Sequence, residues 1–314
     1  MLAKNSREQC DGLDGLEDGL ISDPQACTLE ALQLEDVQCG VGQEAGCLSA
    51  GQLETASLLY AGLKSDAGEV VYNGIFPGDE DQGDWTMWVT GIPGQSAVVE
   101  GLPSSAYETL GVIAQNLSHE DPTFDLDTFD PIADQAELAR RAAPVELPPP
   151  DFSAFHENGA KLIIYHGWQD VPLRAQDTID FLAEASELSG GQKVMDAFSR
   201  TYMVPNMLHC AAGTGGWAAD YVTPMVDWVE KGQPPGALVG TNPGISNWFE
   251  AFGLLQTERV DWYGAVMRAA EAVDPERKST RLLCPYPQVA RYQGFGDLKR
   301  ADNYACVLKA SSSE

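Results

Sequence analysis

Apolar residues in this chain fall into short runs broken by Gly, Pro and Asp, and the spacing within each run predicts a mixed α/β chain. The run Lys161-Leu162-Ile163-Ile164-Tyr165 stops at His166-Gly167-Trp168-Gln169-Asp170, which reads as a buried strand ending in a turn that holds a carboxylate. Residues 174–188 place Ile179, Phe181, Leu182 and Leu188 at helical spacing. Residues 198–204 read as the next strand, leading to His209 and Cys210. Upstream, residues 28–60 read as helix interrupted by a small Cys39 to Cys47 loop, and Ser49 three residues before Gln52 predicts a capped helix start. Residues 70–101 combine many glycines with Tyr72, Phe76, Trp85 and Trp88, a composition suited to lining or covering a pocket. Two helical pieces around an acidic turn are expected over 105–143, and Pro144 with Pro148-Pro149-Pro150 marks a linker. Residues 221–229 read as a short helix turning Met225, Val226 and Val229 inward.

Chemistry enters at the two strand ends. An acid on the loop after one strand and a histidine on the loop after the next is the order in which α/β-hydrolases deliver the last two members of a Ser…Asp…His triad. A neutral imidazole takes the serine proton and returns it to the leaving alcohol near pH 7, and a buried carboxylate fixes its tautomer. Asp170 and His209 are therefore candidates for triad acid and base. Taken alone, they are also what a turn-forming aspartate and a satisfied core histidine would look like.

Composition narrows the classes. A chain of 314 residues, 44% hydrophobic, is long enough to bury a sizeable core. With 47 acidic against 19 basic residues, its net charge of −28 argues against nucleic acid and anionic membrane surfaces as partners. No apolar stretch approaches the ~18 residues of a membrane-spanning helix, and the first residues lack the apolar core of a secretory signal. The seven cysteines nevertheless predict an oxidising, extracellular compartment: six fall into local pairs, Cys10 with Cys27, Cys39 with Cys47 and Cys284 with Cys306, and none shows CxxC spacing. Asn116-Leu117-Ser118 is a glycosylation sequon in keeping with secretion. Cys210 is left over and needs a partner elsewhere.

Between Cys10 and Cys27, carboxylates recur with glycines between them from Asp11 to Asp23. Glycine lets the backbone turn sharply, so that Asp side chains and main-chain carbonyls can converge on a hard cation, for which calcium is the natural candidate. An EF-hand is disfavoured, because Gln25 stands where its bidentate Glu belongs. The plainer alternative is an acidic surface loop held by a disulfide.

The Cys-bracketed Asp/Gly run, His166-Gly167-Trp168-Gln169-Asp170, Leu208-His209-Cys210 and Cys284-Pro285-Tyr286-Pro287 together resemble the tannase and feruloyl esterase family of secreted serine esterases, over residues 10 to 306. The resemblance implies the C-terminal part of an α/β-hydrolase core with a large inserted lid: residues 1–47 as calcium-loop and disulfide segment, 48–150 as lid, 151–314 as core. It implies a structural calcium held by the side chains of Asp11, Asp14 and Asp18 and the main-chain carbonyls of Leu16 and Leu20. It makes Asp170 and His209 the triad acid and base for a small phenolic ester, a hydroxycinnamate or gallate. It also pairs Cys210 with a cysteine immediately before the nucleophilic serine. Neither a Gly-x-Ser-x-Gly nor a Cys-Ser pair occurs in the chain. The expectation is therefore a C-terminal portion of a longer enzyme, inactive alone, whose N-terminal half would be joined through Cys210. The rival expectation is a non-catalytic, calcium-dependent binding module for phenolic or carbohydrate ligands around Trp85 and Trp88.

Overall fold

The structure, a computed structural model, describes residues 1–91, 104–245 and 275–309. Residues 92–101 of the aromatic, glycine-rich segment lie outside the described residues. In chain order, helix α1 (Leu2–Cys10) and the short α2 (Leu29–Leu32) are tied by the Cys10–Cys27 disulfide around Ile21, Leu32 and Leu34. The second disulfide, Cys39–Cys47, closes the predicted small loop before α3 (Ala50–Ala61). Helix α3 begins where the sequence places it: Ser49 accepts from the Gln52 amide and Gln52 reaches back to the Ser49 amide, satisfying two orphan donors. A short hairpin of β1 (Leu63–Lys64) and β2 (Val70–Tyr72) follows, then α4 (Ser105–Gly111), α5 (Gln135–Ala142) and, beyond the proline-rich stretch, α6 (Ser153–Glu157).

The centre of the chain is a parallel crossover. Strand β3 (Leu162–Gly167) leads through α7 (Ala175–Leu188) and α8 (Gln192–Phe198) to β4 (Ser199–Val204), and the strands pair in register from Leu162↔Ser199 to Gly167↔Val204. Helix α7 ends before Gly190 and Gly191, both at positive φ, which break the helix. Helix α8 occupies residues ahead of the strand read over 198–204, where the residue pattern predicts no element, and takes Phe198 from that strand. Phe198 and Met195 of α8 pack with Ala185, Phe152 and Phe155, so burial fixes it.

Strand β4 is buried almost throughout, whereas β3 is only half covered and leaves Tyr165 44% exposed. The buried strand read from residues 161–165 is thus corrected to a half-covered one: among the described residues β3 pairs with β4 alone, and a parallel strand is buried when both its edges and faces are covered. Helix α9 (Val222–Lys231) brings a second correction. Val226 and Val229 face outward, 42% and 63% exposed, while Trp228 is the buried residue of the helix. The large indole takes the inward position, and Arg200 and Lys161 lie over its faces.

Strand β5 (Leu238–Asn242) pairs antiparallel with β6 (Ser279–Leu283), and β7 (Gln288–Tyr292) with β8 (Tyr304–Leu308). The Cys284–Cys306 disulfide staples β8 to the end of β6, and a single bridge, Tyr202↔Pro285, links β4 to the same place. Tyr202, Val204, Met207, Trp217, Ile245 and Leu283 form the core between these parts. Side chains of this size contribute about 1.5–3 kcal/mol each when fully buried. No helix among the described residues is long and apolar enough to cross a membrane.

Candidate active site

Both crossover strands end at one place. Gly167 closes β3, and a side chain there would collide with the Met207 carbonyl, so its absence lets the loops after β3 and β4 touch. Asp170 and His209 meet across that contact, with His209 Nδ1 3.1 Å from Asp170 Oδ2. Asp170 is 4% exposed, and its Oδ1 accepts from the Leu173 amide at 2.9 Å. Burial pushes the Asp170 carboxyl up, but hydrogen bonds from His166, His209 and Leu173 outweigh it, and the group stands below the ordinary carboxylate range. The hydrogen bond to Asp170 raises the His209 imidazole above its usual value against the opposing effect of burial, and the charges of Asp170 and Asp84 add to the rise. Because Nδ1–H points at a carboxylate, the neutral ring carries its lone pair on Nε2, which has no hydrogen-bond partner among the described residues. The pair can therefore accept a proton from a hydroxyl and hold the resulting imidazolium. The Trp88 ring stands edge-on to the imidazole, 6.0 Å between centroids.

Residue pattern alone did not mark the groups that hold this pair. His166, on β3, places Nε2 3.3 Å from Asp170 Oδ2 and 3.1 Å from the Leu173 carbonyl, while Thr178 meets Nδ1 at 2.7 Å. Two acceptors at Nε2 require a proton there, so His166 is a second donor to the acid. The i, i+4 spacing of His166 and Asp170 is the only sequence signal for it. Asn206, fully buried at φ +51, joins four parts of the chain. Its amide donates to Gln169 Oε1 at 2.6 Å, its Nδ2 to Asp79 Oδ1 at 2.9 Å, and its Oδ1 accepts from Ile21 at 3.0 Å; its carbonyl accepts from Gly215. Asp79 also accepts from the Thr214 amide and hydroxyl, and Asp84 accepts from the His209 amide at 2.7 Å. Asp79 and Asp84 belong to Gly78-Asp79-Glu80-Asp81-Gln82-Gly83-Asp84, inside the aromatic, glycine-rich segment. In the fold both are buried, and desolvation pushes each carboxyl up to about 6.

Cys210, at φ +59, follows His209 as a free thiol, not bonded to any other described cysteine. Trp85 does not line an open site; it is buried against Ile75 and Val171.

The Asp/Gly loop lies apart from Asp170 and His209 and reaches them through Asn206. Asp11 accepts from the amides of Asp18 and Gly19, Asp14 from Leu16 and Ser22, and Asp18 from Leu20. Arg281 and the Tyr304 hydroxyl stand 3.2 Å from Asp18 Oδ2, and Arg291 donates to the Asp14 carbonyl. The donors offered by Asp11, Asp14, Asp18 and the carbonyls of Leu16 and Leu20 are all hard oxygens, and both oxygens of Asp11 and Asp14 and Oδ1 of Asp18 keep a lone pair beyond their one amide bond, so the donor chemistry fits calcium, although Asp18 Oδ2 is already taken by Arg281 and Tyr304. Among the described residues, however, no three His, Cys, Asp or Glu side chains are gathered as a metal cage.

A cavity of about 690 Å³ opens elsewhere, between α7, α8, β4 and the Pro285-Tyr286-Pro287 turn. Neither Asp170 nor His209 lines it, so its volume says nothing of the chemistry at the strand ends.

Comparison with known proteins settles the kinship. The sequence profile described as tannase and feruloyl esterase matches residues 1–307. The chain belongs to this family. It is 29% identical to mono(2-hydroxyethyl) terephthalate hydrolase of Piscinibacter sakaiensis over 95% of its own length and 49% of that protein's. It is equally 29% identical to feruloyl esterase C of Talaromyces stipitatus, over 98% of this chain and 53% of that one. The crystal structure of feruloyl esterase B from Aspergillus oryzae superposes with a TM-score of 0.72 at 21% identity, covering 97% of this chain and 56% of that chain. The fold is that of the α/β-hydrolases. The chain spans about half the length of the relatives it matches.

Proposed function

We propose that this chain carries the acid and base of a carboxylic ester hydrolase that cleaves hydroxycinnamate or gallate esters. The hydrogen bond between Asp170 and His209, with Nε2 left to face a reacting hydroxyl, carries the reading. A serine hydroxyl would attack the ester carbonyl as His209 takes its proton, and the imidazolium, paired with Asp170, would return that proton to the departing alcohol. Water activated by the same imidazole would then cleave the acyl-enzyme. The edge of Trp88 beside His209 supports an aromatic acyl group, and aromatic acids appear in the names of the relatives. No described hydroxyl bonds to Nε2, so the nucleophile and the oxyanion donors are assigned to a segment other than the described residues. The half-covered β3 and outward Val226 and Val229 suit docking of such a segment, and the free Cys210 suits a disulfide to a cysteine beside its serine.

Calcium, held by Asp11, Asp14 and Asp18 and the carbonyls of Leu16 and Leu20, would brace the loop that Asn206 ties to the site, with no part in bond cleavage. The three disulfides support an extracellular setting.

Hydrolysis of methyl ferulate and methyl gallate tests the reading. This chain is expected to be inactive alone, and active when preceded by a family segment bearing a Cys-Ser elbow. That activity should vanish on His209→Ala. Activity of the extended protein that survives His209→Ala would overturn the assignment of the base; activity of the chain alone would overturn the external nucleophile.

A further inference from the structure

Asp84 sits at a point that the proposed mechanism leaves unused. It is fully buried, and its Oδ2 accepts the main-chain amide of His209 at 2.7 Å, the only hydrogen bond that amide makes among the described residues. Oδ1 is buried too, with no donor in close hydrogen-bonding geometry, and the Val171 amide is near enough to favour the charged carboxylate. A buried carboxylate is costly, and Asp81 of the same turn stays at the surface on Arg7. The charge of Asp84 is felt by Asp170, by His209 and by the Cys210 thiol, so it belongs electrostatically to the triad loops although it comes from a remote part of the chain.

We infer that Asp84 is a positioning residue for the base: it holds the main chain of His209 so that the ring meets Asp170, and it presents a second negative charge to the imidazolium. The two effects act on one residue from one carboxylate. The amide bond fixes the left-handed turn that continues through Cys210, and the charge stabilises the protonated ring formed when a hydroxyl is deprotonated. Among the described residues, the charged and titratable groups around the imidazole are Asp170 from the loop after β3, Asp84 from the Pro77 to Trp88 segment and Cys210 on its own loop, with His166 on the far side of Asp170. The inference rests on His209 being the base, and its test separates the two.

Histidine-labelled 314-residue chain is titrated by NMR, with the His209 ring signal assigned by its loss in His209→Gln. Asp84→Asn keeps a carbonyl for the His209 amide and removes the charge, and should lower the ring pKa by about 0.5–1 unit. Asp170→Asn should lower it by more, roughly 1–2 units. A fall with Asp170→Asn and none with Asp84→Asn sinks the Asp84 inference alone. No fall with Asp170→Asn sinks the acid–base pair itself. If Asp84→Asn does not fold, hydrogen exchange of the wild type decides. The His209 amide should be protected although its side chain is partly exposed, and exchange at the rate of a free loop amide would overturn the inference.

Discussion

Asp84→Asn should stabilise the chain at neutral pH, and the size of the effect follows from the environment of the carboxylate. Burial raises the group from 3.8 to about 6, the charge of Asp170 adds to the rise, and the amides of His209 and Val171 with the His209 charge only partly offset it. A folded-state value above the unfolded one means that the native state binds the proton more tightly. The ionised group therefore destabilises the fold, fully above about pH 6, and the penalty fades as pH falls through 6 toward 4. A rise of roughly 2 units is worth about 3 kcal/mol at pH 7.5, and about 1 kcal/mol of it persists at pH 4.5. In Asp84→Asn the carbonyl keeps the His209 amide, while the new Nδ2 replaces the buried Oδ1 and leaves a buried donor unmatched, at about 1 kcal/mol. The net gain is about 2 kcal/mol at pH 7.5 and near zero at pH 4.5. Urea unfolding followed by circular dichroism reads this as a midpoint about 0.5–1 M higher for the variant at pH 7.5, converging with the wild type at pH 4.5. A variant that unfolds earlier than the wild type at pH 7.5, or an advantage that is the same at both pH values, would refute the reasoning. Together with the expected fall in the His209 pKa, a stabilised variant would mark Asp84 as a place where stability is given up for function.

Three further outcomes are expected. Asn206→Ala removes the donor to Asp79 and the acceptor for the Ile21 amide, both buried, and should cost about 3–5 kcal/mol in the same urea assay, with the His209 amide losing exchange protection. Replacing Cys284 and Cys306 together by Ala opens a loop of sequence separation 22 and should cost about 2–4 kcal/mol in the same assay without reductant. Calcium should raise the thermal midpoint of the wild type and chelator should lower it, while Asp14→Asn should respond to neither; an unchanged wild-type midpoint would remove the proposed ion from the Asp11 to Leu20 loop.

Much of the site was legible because its signals are local. Cysteines 8 to 22 residues apart found the partners nearest in sequence, since a short loop costs little entropy to close. Ser49 and Gln52 specify their helix start by themselves, and the apolar runs ending at Asp170 and His209 identify two strands with polar groups at their ends. What the sequence by itself determined is therefore the crossover with an aspartate and a histidine on successive loops, the disulfide pairs and the family. Only the tertiary structure decided which carboxylates are buried. Asp79, Asp81 and Asp84 lie in one acidic turn, yet Asp81 meets Arg7 at the surface while Asp79 and Asp84 lie under the loop that carries His209. The same holds for the outward turn of Val226 and Val229 and for His166 at Asp170. In each case the deciding contact comes from an element distant in sequence or from the turn of the chain in space, and residue spacing along one segment carries no record of what packs across from it.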